Sequence, residues 1–110
     1  MAKEVVIEVK EGARARFHNN VDYCVGTGRM GLALTREYQE QLKLVQQEIG
    51  FRHIRGHGLF CDDMAIYQEY EEDGVRKAEY NFTYLDRVMD GYLEAGLRPF
   101  LELGFMPEKL

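Results

Sequence analysis

The sequence predicts an α/β fold built on a parallel sheet, and we expect its 110 residues to be incomplete on their own. Segments rich in β-branched and aromatic residues alternate with two amphipathic helical stripes. The order strand, helix, strand, helix, strand is typical of parallel strands joined by right-handed crossovers. Two helices cover only one face of a parallel sheet, which is normally buried on both. The pattern therefore predicts (βα)2β plus a leading β-strand, as part of a larger barrel or doubly wound sheet.

Composition narrows the classes of protein and partner. Hydrophobic residues make up 45% of the chain and charged residues 30%, which is a globular balance for one domain at most. The formal net charge of -5 argues against a nucleic-acid surface, which needs clustered cations. A membrane span needs about 18 or more unbroken apolar residues, and the sequence has no such run. We expect neither nucleic acid nor a membrane as partner.

The amino terminus and the cysteines indicate a compartment. The first residues lack the apolar core of a secretory signal, so the sequence predicts a cytoplasmic protein. Cys24 and Cys61 lie far apart and outside any zinc-binding spacing. We expect two reduced, buried thiols, no metal site and no cofactor.

The first third of the chain contains two strand candidates. Val5–Val9 is rich in β-branched residues and predicts the leading strand, and a turn follows at residues 11–14. Val21–Val25 predicts a second strand. The glycines of Gly26–Gly31 come next and favour a loop in which the backbone bends sharply or approaches a ligand.

The clearest helix follows this loop. Thr35 is a suitable N-cap, and Gly50 stands where helices end. Apolar side chains recur between them at helical spacing. They are Tyr38, Leu42, Val45 and Ile49.

The second half predicts two more strands, a helix and a long loop. Residues 51–57 are too few for a helix and favour a strand, whereas the acidic stretch 60–77 favours a solvated loop long enough to cover a site. Thr83–Asp86 matches a capping box that opens a helix ended by Gly96, and residues 98–103 form the last strand. The apolar stripe of this helix is Leu85, Val88, Met89, Tyr92 and Leu93.

One glycine pattern suggests an alternative function. Gly26–Gly31 fits G-x-G-x-x-G between a strand and a helix, as in a small nucleotide-binding α/β module. The predicted helix, however, begins only near Thr35, although the phosphate-binding form opens its helix with the last glycines. The acidic residue expected about 20 positions later, after a second strand, is missing. Nucleotide binding remains the alternative interpretation.

The third predicted strand carries several polar groups on one face. Alternation places Phe51, His53, Arg55 and His57 together, facing either solvent or the centre of a closed barrel. The two histidines would lie roughly 13 Å apart along a strand, too far to share a metal ion. If Arg55 is buried it needs a carboxylate, and Glu102 on the last strand is the candidate.

Four longer motifs point to a known family. They are Cys24–Leu34, Phe51–Asp63, Tyr80–Asp86 and Arg98–Pro107. In order and spacing they resemble the amino-terminal part of glycoside hydrolase family 39, especially its bacterial β-xylosidases. The resemblance covers nearly the whole chain and treats Gly26–Gly31 as the loop after the first barrel strand.

The resemblance implies a TIM (β/α)8 barrel with an attached β-sandwich. Residues 1–20 would join the sandwich, and residues 21–110 would form the amino-terminal part of the barrel. The implied activity is retaining removal of β-1,4-xylose units from xylo-oligosaccharides by two glutamates. Both glutamates lie on later strands of the family, so the chain alone is expected to be inactive and Glu102 is not catalytic.

What the resemblance carries over to this chain is substrate binding. His57 would hydrogen-bond a sugar hydroxyl at the carboxyl end of its strand, with Arg55 one layer beneath. Phe105 would supply an apolar wall to the sugar ring. The implied partners are a xylose-containing oligosaccharide and either a complementary barrel segment or a second copy of the chain.

Overall fold

The computed structural model describes residues 2–12 and 14–110. These ranges hold two α-helices and five β-strands, with short 3-10 helices after the first and second strands at Met30–Leu34 and Asp62–Met64. In chain order the elements are β1 Cys24–Arg29, α1 Arg36–Glu48, β2 His53–His57, β3 Tyr67–Glu72, β4 Val75–Tyr80, α2 Thr83–Glu94 and β5 Arg98–Pro99.

The predicted parallel sheet is confirmed, with the strand order β1-β2-β5. Both neighbouring pairs are parallel, and Ile54 of β2 pairs with Pro99 of β5. The last strand is shorter than predicted: Phe100 N still donates to Ile54 O at 2.8 Å, but the residues beyond it leave the ladder. In the described part of the chain no further strand lies on the outer side of β5 to hold them.

Helix α1 forms where local signals predicted it. Thr35 is the N-cap, and its Oγ1 accepts a hydrogen bond from Tyr38 N at 3.3 Å. Gly50 follows the helix with φ +76°, a backbone conformation that favours glycine.

The predicted thiols Cys24 and Cys61 are free and half-buried.

Helix α2 confirms most of its predicted stripe, but its cap differs. Leu93 is 59% exposed, so its place in the stripe was wrong. The helix begins at Thr83 itself, after the N-cap Phe82, so Thr83 cannot act as the cap of a box. Asn81 Oδ1 instead accepts from Thr83 N at 2.9 Å.

The core lies between the parallel sheet and the helices. Ile54 is buried in the middle of β2, on the opposite face from Arg55. Burial raises the pKa of the Tyr92 phenol, and the neighbouring Tyr38 hydroxyl adds to this effect. The buried hydrophobic residues are Met30, Ala33, Ile54, Leu59, Met64, Ile66, Val88, Tyr92 and Leu97.

The leading strand is not formed. Val5–Val9 has no regular secondary structure, and its apolar side chains are exposed. A strand needs a neighbour to complete its hydrogen bonds, and none of the described strands lies beside this segment. The turn expected at residues 11–14 includes Ala13, which lies outside the described residues. The radius of gyration, 21.6 Å against about 13 Å for a compact chain of this length, shows how far the structure extends from its core.

The acidic stretch 60–77 was predicted to be a loop, and this was wrong. Part of it forms the antiparallel hairpin β3–β4, joined at Asp73 and Gly74. Both turn residues have positive φ, +54° and +75°, as a type I′ turn requires. The hairpin leaves most of its side chains exposed on both faces, so no apolar alternation marked its strands in the sequence.

Charged groups on one face stabilise this hairpin. Arg76 Nη2 lies 2.6 Å from Glu69 Oε2, and the Tyr67 hydroxyl donates to Glu69 Oε1 at 2.6 Å. The hydrogen bond from Tyr67 lowers the pKa of Glu69, as does the Arg76 charge, and the same hydrogen bond raises the pKa of Tyr67.

Within the described ranges, no helix is long and apolar enough to cross a membrane.

Candidate functional site

The carboxyl ends of the three parallel strands lie at one edge of the sheet. His57 is the last residue of β2, and Phe105 lies in the segment that follows β5. Their rings are 5.7 Å apart between centroids and inclined at 45°. The structure therefore brings together two of the three predicted site residues, although 48 positions separate them in the chain.

Phe105 holds an unusual backbone conformation at this edge. Its φ is +56°, a region that bulky side chains rarely adopt and that costs about 1–3 kcal/mol. The ring contacts His57, and the residue is 59% exposed. An exposed aromatic ring beside an imidazole offers one apolar wall and one hydrogen-bonding group to a ligand.

Arg55 lies two residues before His57, on the same face of β2. Its Nη2 forms an ion pair with Glu102 Oε1, so the carboxylate predicted from strand alternation is indeed its partner. The Arg55 side chain nevertheless remains more than half exposed. Glu102 is thus engaged by a cation.

His53 does not belong to this site. It lies at the amino end of β2, where its Nδ1 is 3.1 Å from Tyr23 O and its ring packs 4.7 Å from the Tyr23 ring. Of the four residues predicted to share a face, His53, Arg55 and His57 lie in β2, where the two histidines are separated along the strand. Phe51 precedes the strand and packs against the core, so its place on this face was wrong.

The glycine motif forms a strand with a bulge, and the predicted loop was wrong. Gly26 and Gly28 lie inside β1, which pairs Gly26 with Arg55 and Arg29 with His57. Three steps along β1 thus match two along β2, which is a β-bulge beside the candidate site. Two of the glycines that a phosphate loop would need are in the sheet, so the nucleotide-binding alternative loses its structural basis.

The bulge also brings β1 close to β2. A Cβ atom added to Gly56 would lie 3.1 Å from Thr27 Cγ2 and 3.3 Å from Gly28 O. Thr27 is itself tied to α1, because its Oγ1 lies 2.5 Å from the Tyr38 hydroxyl. A close approach of the strands therefore favours glycine at position 56, between the two predicted site residues of β2.

Sequence reasoning missed an ion pair at the same edge. Arg29, the last residue of β1, lies with its Nη2 3.2 Å from Asp63 Oδ2. Asp62 Oδ2 accepts a hydrogen bond from Glu108 N at 3.4 Å. The two adjacent carboxylates thus link the turn after β2 to the end of β1 and to the segment that follows β5. The available signal was an arginine within the glycine motif that follows one predicted strand and an acidic pair after the next.

The arrangement suits a neutral, hydroxyl-rich ligand. Guanidinium and imidazole groups donate hydrogen bonds, and an exposed aromatic ring supports the apolar face of a sugar. Among residues 2–12 and 14–110, no group of three or more His, Cys, Asp or Glu side chains could hold a metal ion. Glu102 and Asp63 each pair with an arginine.

Comparison with known proteins identifies a family. The sequence model of Glycosyl hydrolases family 39 matches residues 5–110. A β-xylosidase of Geobacillus stearothermophilus is 57% identical over 105 residues, which are 96% of this chain and 21% of that protein. One from Caldicellulosiruptor saccharolyticus is 40% identical over 87 residues, which are 79% of this chain and 17% of that protein.

Solved structures give the same result. The structure of a GH39 β-xylosidase from Caulobacter crescentus matches with a TM-score of 0.71 and 38% identity, covering 80% of this chain and 19% of that one. The chain spans about a fifth of the length of the curated relatives that it matches.

Proposed function

The chain belongs to glycosyl hydrolases family 39, and from this premise we propose that it forms the first part of the catalytic barrel of a retaining β-xylosidase. The observation that supports this most directly is the pairing of His57 with Phe105 at the carboxyl ends of parallel strands. Barrel enzymes build their active sites at that end. The parent enzyme would remove β-1,4-linked xylose units from xylo-oligosaccharides.

In this proposal the residues of the chain bind the sugar. His57 forms a hydrogen bond with a ring hydroxyl, and the exposed face of Phe105 packs against the carbon face of the sugar. Arg55, which is paired with Glu102, lies one layer deeper and places its guanidinium group beneath the sugar ring. In this proposal all three residues help to bind a neutral sugar, and none of them transfers a proton to the scissile bond.

The hydrolytic step requires groups beyond these. Retaining glycosidases use two carboxyl groups about 5–5.5 Å apart, one as nucleophile and one as acid and base. The family resemblance assigns both to later strands. We therefore expect no xyloside hydrolysis by the 110 residues alone, and no cofactor in the parent enzyme.

A second part of the proposal concerns assembly. Phe100, Leu101 and Leu103 are at least half exposed next to the open edge of β5. An apolar face beside an unpaired edge favours association. We propose that a complementary barrel segment covers it, with self-association as the outcome when that segment is absent.

The cytoplasmic location stays a prediction.

A chimera tests the proposed activity. This chain replaces the matching 105 residues of the Geobacillus stearothermophilus β-xylosidase, and turnover of a chromogenic β-xyloside is measured. We expect a folded, active enzyme in which His57→Ala lowers kcat/KM on the order of 100-fold, because a buried hydrogen bond to a sugar hydroxyl is lost. His53→Ala is the matched control, since His53 lies at the other end of β2.

Three results would contradict the proposal. A chimera that melts cooperatively but does not hydrolyse the xyloside would show that this chain does not supply a xylosidase site. Equal losses of kcat/KM in His57→Ala and His53→Ala would contradict the placement of the site at the end of β2. Turnover by the isolated chain that survives re-purification would contradict the assignment of the carboxyl pair to later strands.

A further inference from the structure

The bulge in β1 determines which side chain stands beside His57. In a regular parallel ladder, the residue two positions after Gly26 would pair with the residue two positions after Arg55, so Gly28 would face His57. The bulge adds one residue to β1, and Arg29 takes that place instead. Bulges often re-aim a side chain next to an active site. Here the bulge exchanges a glycine for a guanidinium.

A second feature holds this guanidinium in place. Asp63, in the 3-10 turn after β2, pairs with Arg29 Nη2 at 3.2 Å. The Asp63 carboxylate also lies directly against Gly31: a Cβ added there would be 2.4 Å from Asp63 Oδ2. The absence of a side chain at position 31 is thus what leaves room for the carboxylate beside Arg29.

The pair retains hydrogen-bonding capacity. A guanidinium has five N–H donors, and the structure engages Arg29 through one described side-chain contact. The Arg29 side chain is 58% exposed, and the Arg29 backbone is paired with that of His57 in the sheet. Neighbouring strands lie about 4.8 Å apart, so both side chains start within reach of one bound sugar ring.

We propose that Arg29 is a further sugar-binding residue of this site, and that Asp63 is its positioning residue. This inference rests on the proposed function. The ligand group is a hydroxyl of the same neutral pentose that His57 contacts, and it accepts a hydrogen bond from the guanidinium. Gly31 is part of the same arrangement, because its missing Cβ leaves room for the Asp63 carboxylate.

The test uses the chimera and a set of substrates. Arg29→Gln is compared with the unsubstituted chimera on an aryl β-xyloside and on its 2-deoxy, 3-deoxy and 4-deoxy analogues. We expect a loss in kcat/KM on the order of 10-fold for the parent xyloside, because a charged hydrogen bond is removed. For one deoxy analogue the loss should nearly vanish, because the hydroxyl that Arg29 binds is already missing.

Two further variants address the positioning role. Arg29→Lys retains the charge but not the planar donor fork, and we expect it to restore less than half of the lost kcat/KM. Gly31→Ala leaves Arg29 intact but displaces the Asp63 carboxylate, and we expect a loss of about 3- to 5-fold with the same preference among deoxy analogues. Arg36→Gln is the control, because Arg36 forms an ion pair with Glu40 on the outer helix α1.

The outcomes separate a binding role from a structural tie. If Arg29→Gln lowers the melting temperature but loses the same factor on all four substrates, the pair merely links β1 to the next loop and the inference is wrong. An Arg29→Lys variant that loses the same factor on all four substrates would contradict it in the same way. If Arg29→Gln does not fold, Gly31→Ala and Arg29→Lys decide the question with the same substrates. An unsubstituted chimera without activity would overturn the proposed function, and this inference with it.

Discussion

Replacing Gly56 with alanine tests whether the close approach of β1 and β2 is a requirement of the site. Gly56 lies between Arg55 and His57, and its Cα faces the bulge of β1. The added methyl group would meet Thr27 Cγ2 at 3.1 Å and Gly28 O at 3.3 Å. Favourable carbon contacts lie at about 3.5–4.0 Å, so these neighbours would have to withdraw by a few tenths of an ångström.

Neither neighbour is free to withdraw alone. Gly28 O belongs to the backbone of the bulge, and the Thr27 side chain is held by the Tyr38 hydroxyl at 2.5 Å. Overpacking of this kind costs about 1–3 kcal/mol, and the lower entropy of an unfolded alanine offsets about 0.4–1 kcal/mol of that. We expect a net loss of about 1–2 kcal/mol in the free energy of unfolding. In a domain the size of a barrel this lowers Tm by roughly 2–8 °C.

The assay is thermal unfolding of the chimera, together with kcat/KM on an aryl β-xyloside. Separation of the strands would move His57 relative to Phe105, and we expect a loss on the order of 10-fold in kcat/KM. Gly91→Ala is the matched control. A Cβ at position 91 meets no atom within 4 Å, and α2 gains up to about 1 kcal/mol from alanine. If Gly56→Ala melts at or above the temperature of Gly91→Ala, the strands tolerate the methyl group and the reasoning fails.

Three further predictions concern stability. Tyr92 is 1% exposed and has a raised pKa. Above pH 10 the unfolded state therefore releases a proton that the folded state keeps. The free energy of unfolding should fall by about 1.4 kcal/mol per pH unit in this range. Urea unfolding at pH 9 and pH 11 should show a smaller fall in Tyr92→Phe, where only the raised pKa of Tyr67 still contributes, and an unchanged fall when the exposed Tyr84 is changed to Phe. Gly74→Ala should destabilise the hairpin by about 1 kcal/mol because of its φ of +75°, and faster amide hydrogen exchange confined to β3 and β4 would show it. Ile54→Ala should lower the free energy of unfolding by about 2–5 kcal/mol, and a loss below 1 kcal/mol would mean that the core is not packed as described.

Local signals allowed the first helix to be predicted from the sequence. Thr35 caps it through its own side chain, and Gly50 ends it by its backbone conformation. Both effects involve neighbours in the chain and need no tertiary partner. The parallel order of the strands could likewise be predicted, because alternation of strands and helices permits few other topologies.

The bulge and the hairpin could not be predicted in the same way. The bulge depends on a register between β1 and β2 that only the pairing of distant residues reveals. The hairpin lacks an apolar face, and its one local signal was the pair Asp73 and Gly74. Without a buried side there is no hydrophobic period, so a run of acidic residues was interpreted as a loop.

The candidate site was partly accessible from sequence. Strand alternation was enough to pair Arg55 with Glu102, and family resemblance suggested His57 and Phe105. The positive φ of Phe105 was invisible, because no glycine or asparagine marked it. Arg29 was missed because the glycines around it were interpreted as a loop.

The two ends of the hairpin meet at its base, where Asn81 N donates to Ile66 O at 2.9 Å. Ile66 is buried in the core, whereas the strands beyond it are largely exposed. Residues 67–80 therefore leave and re-enter the fold at one point, and a short connection could join positions 66 and 81 while the core stays intact. The hairpin is thus a natural point for shortening, lengthening or replacing chain without redesigning the sheet that carries the candidate site.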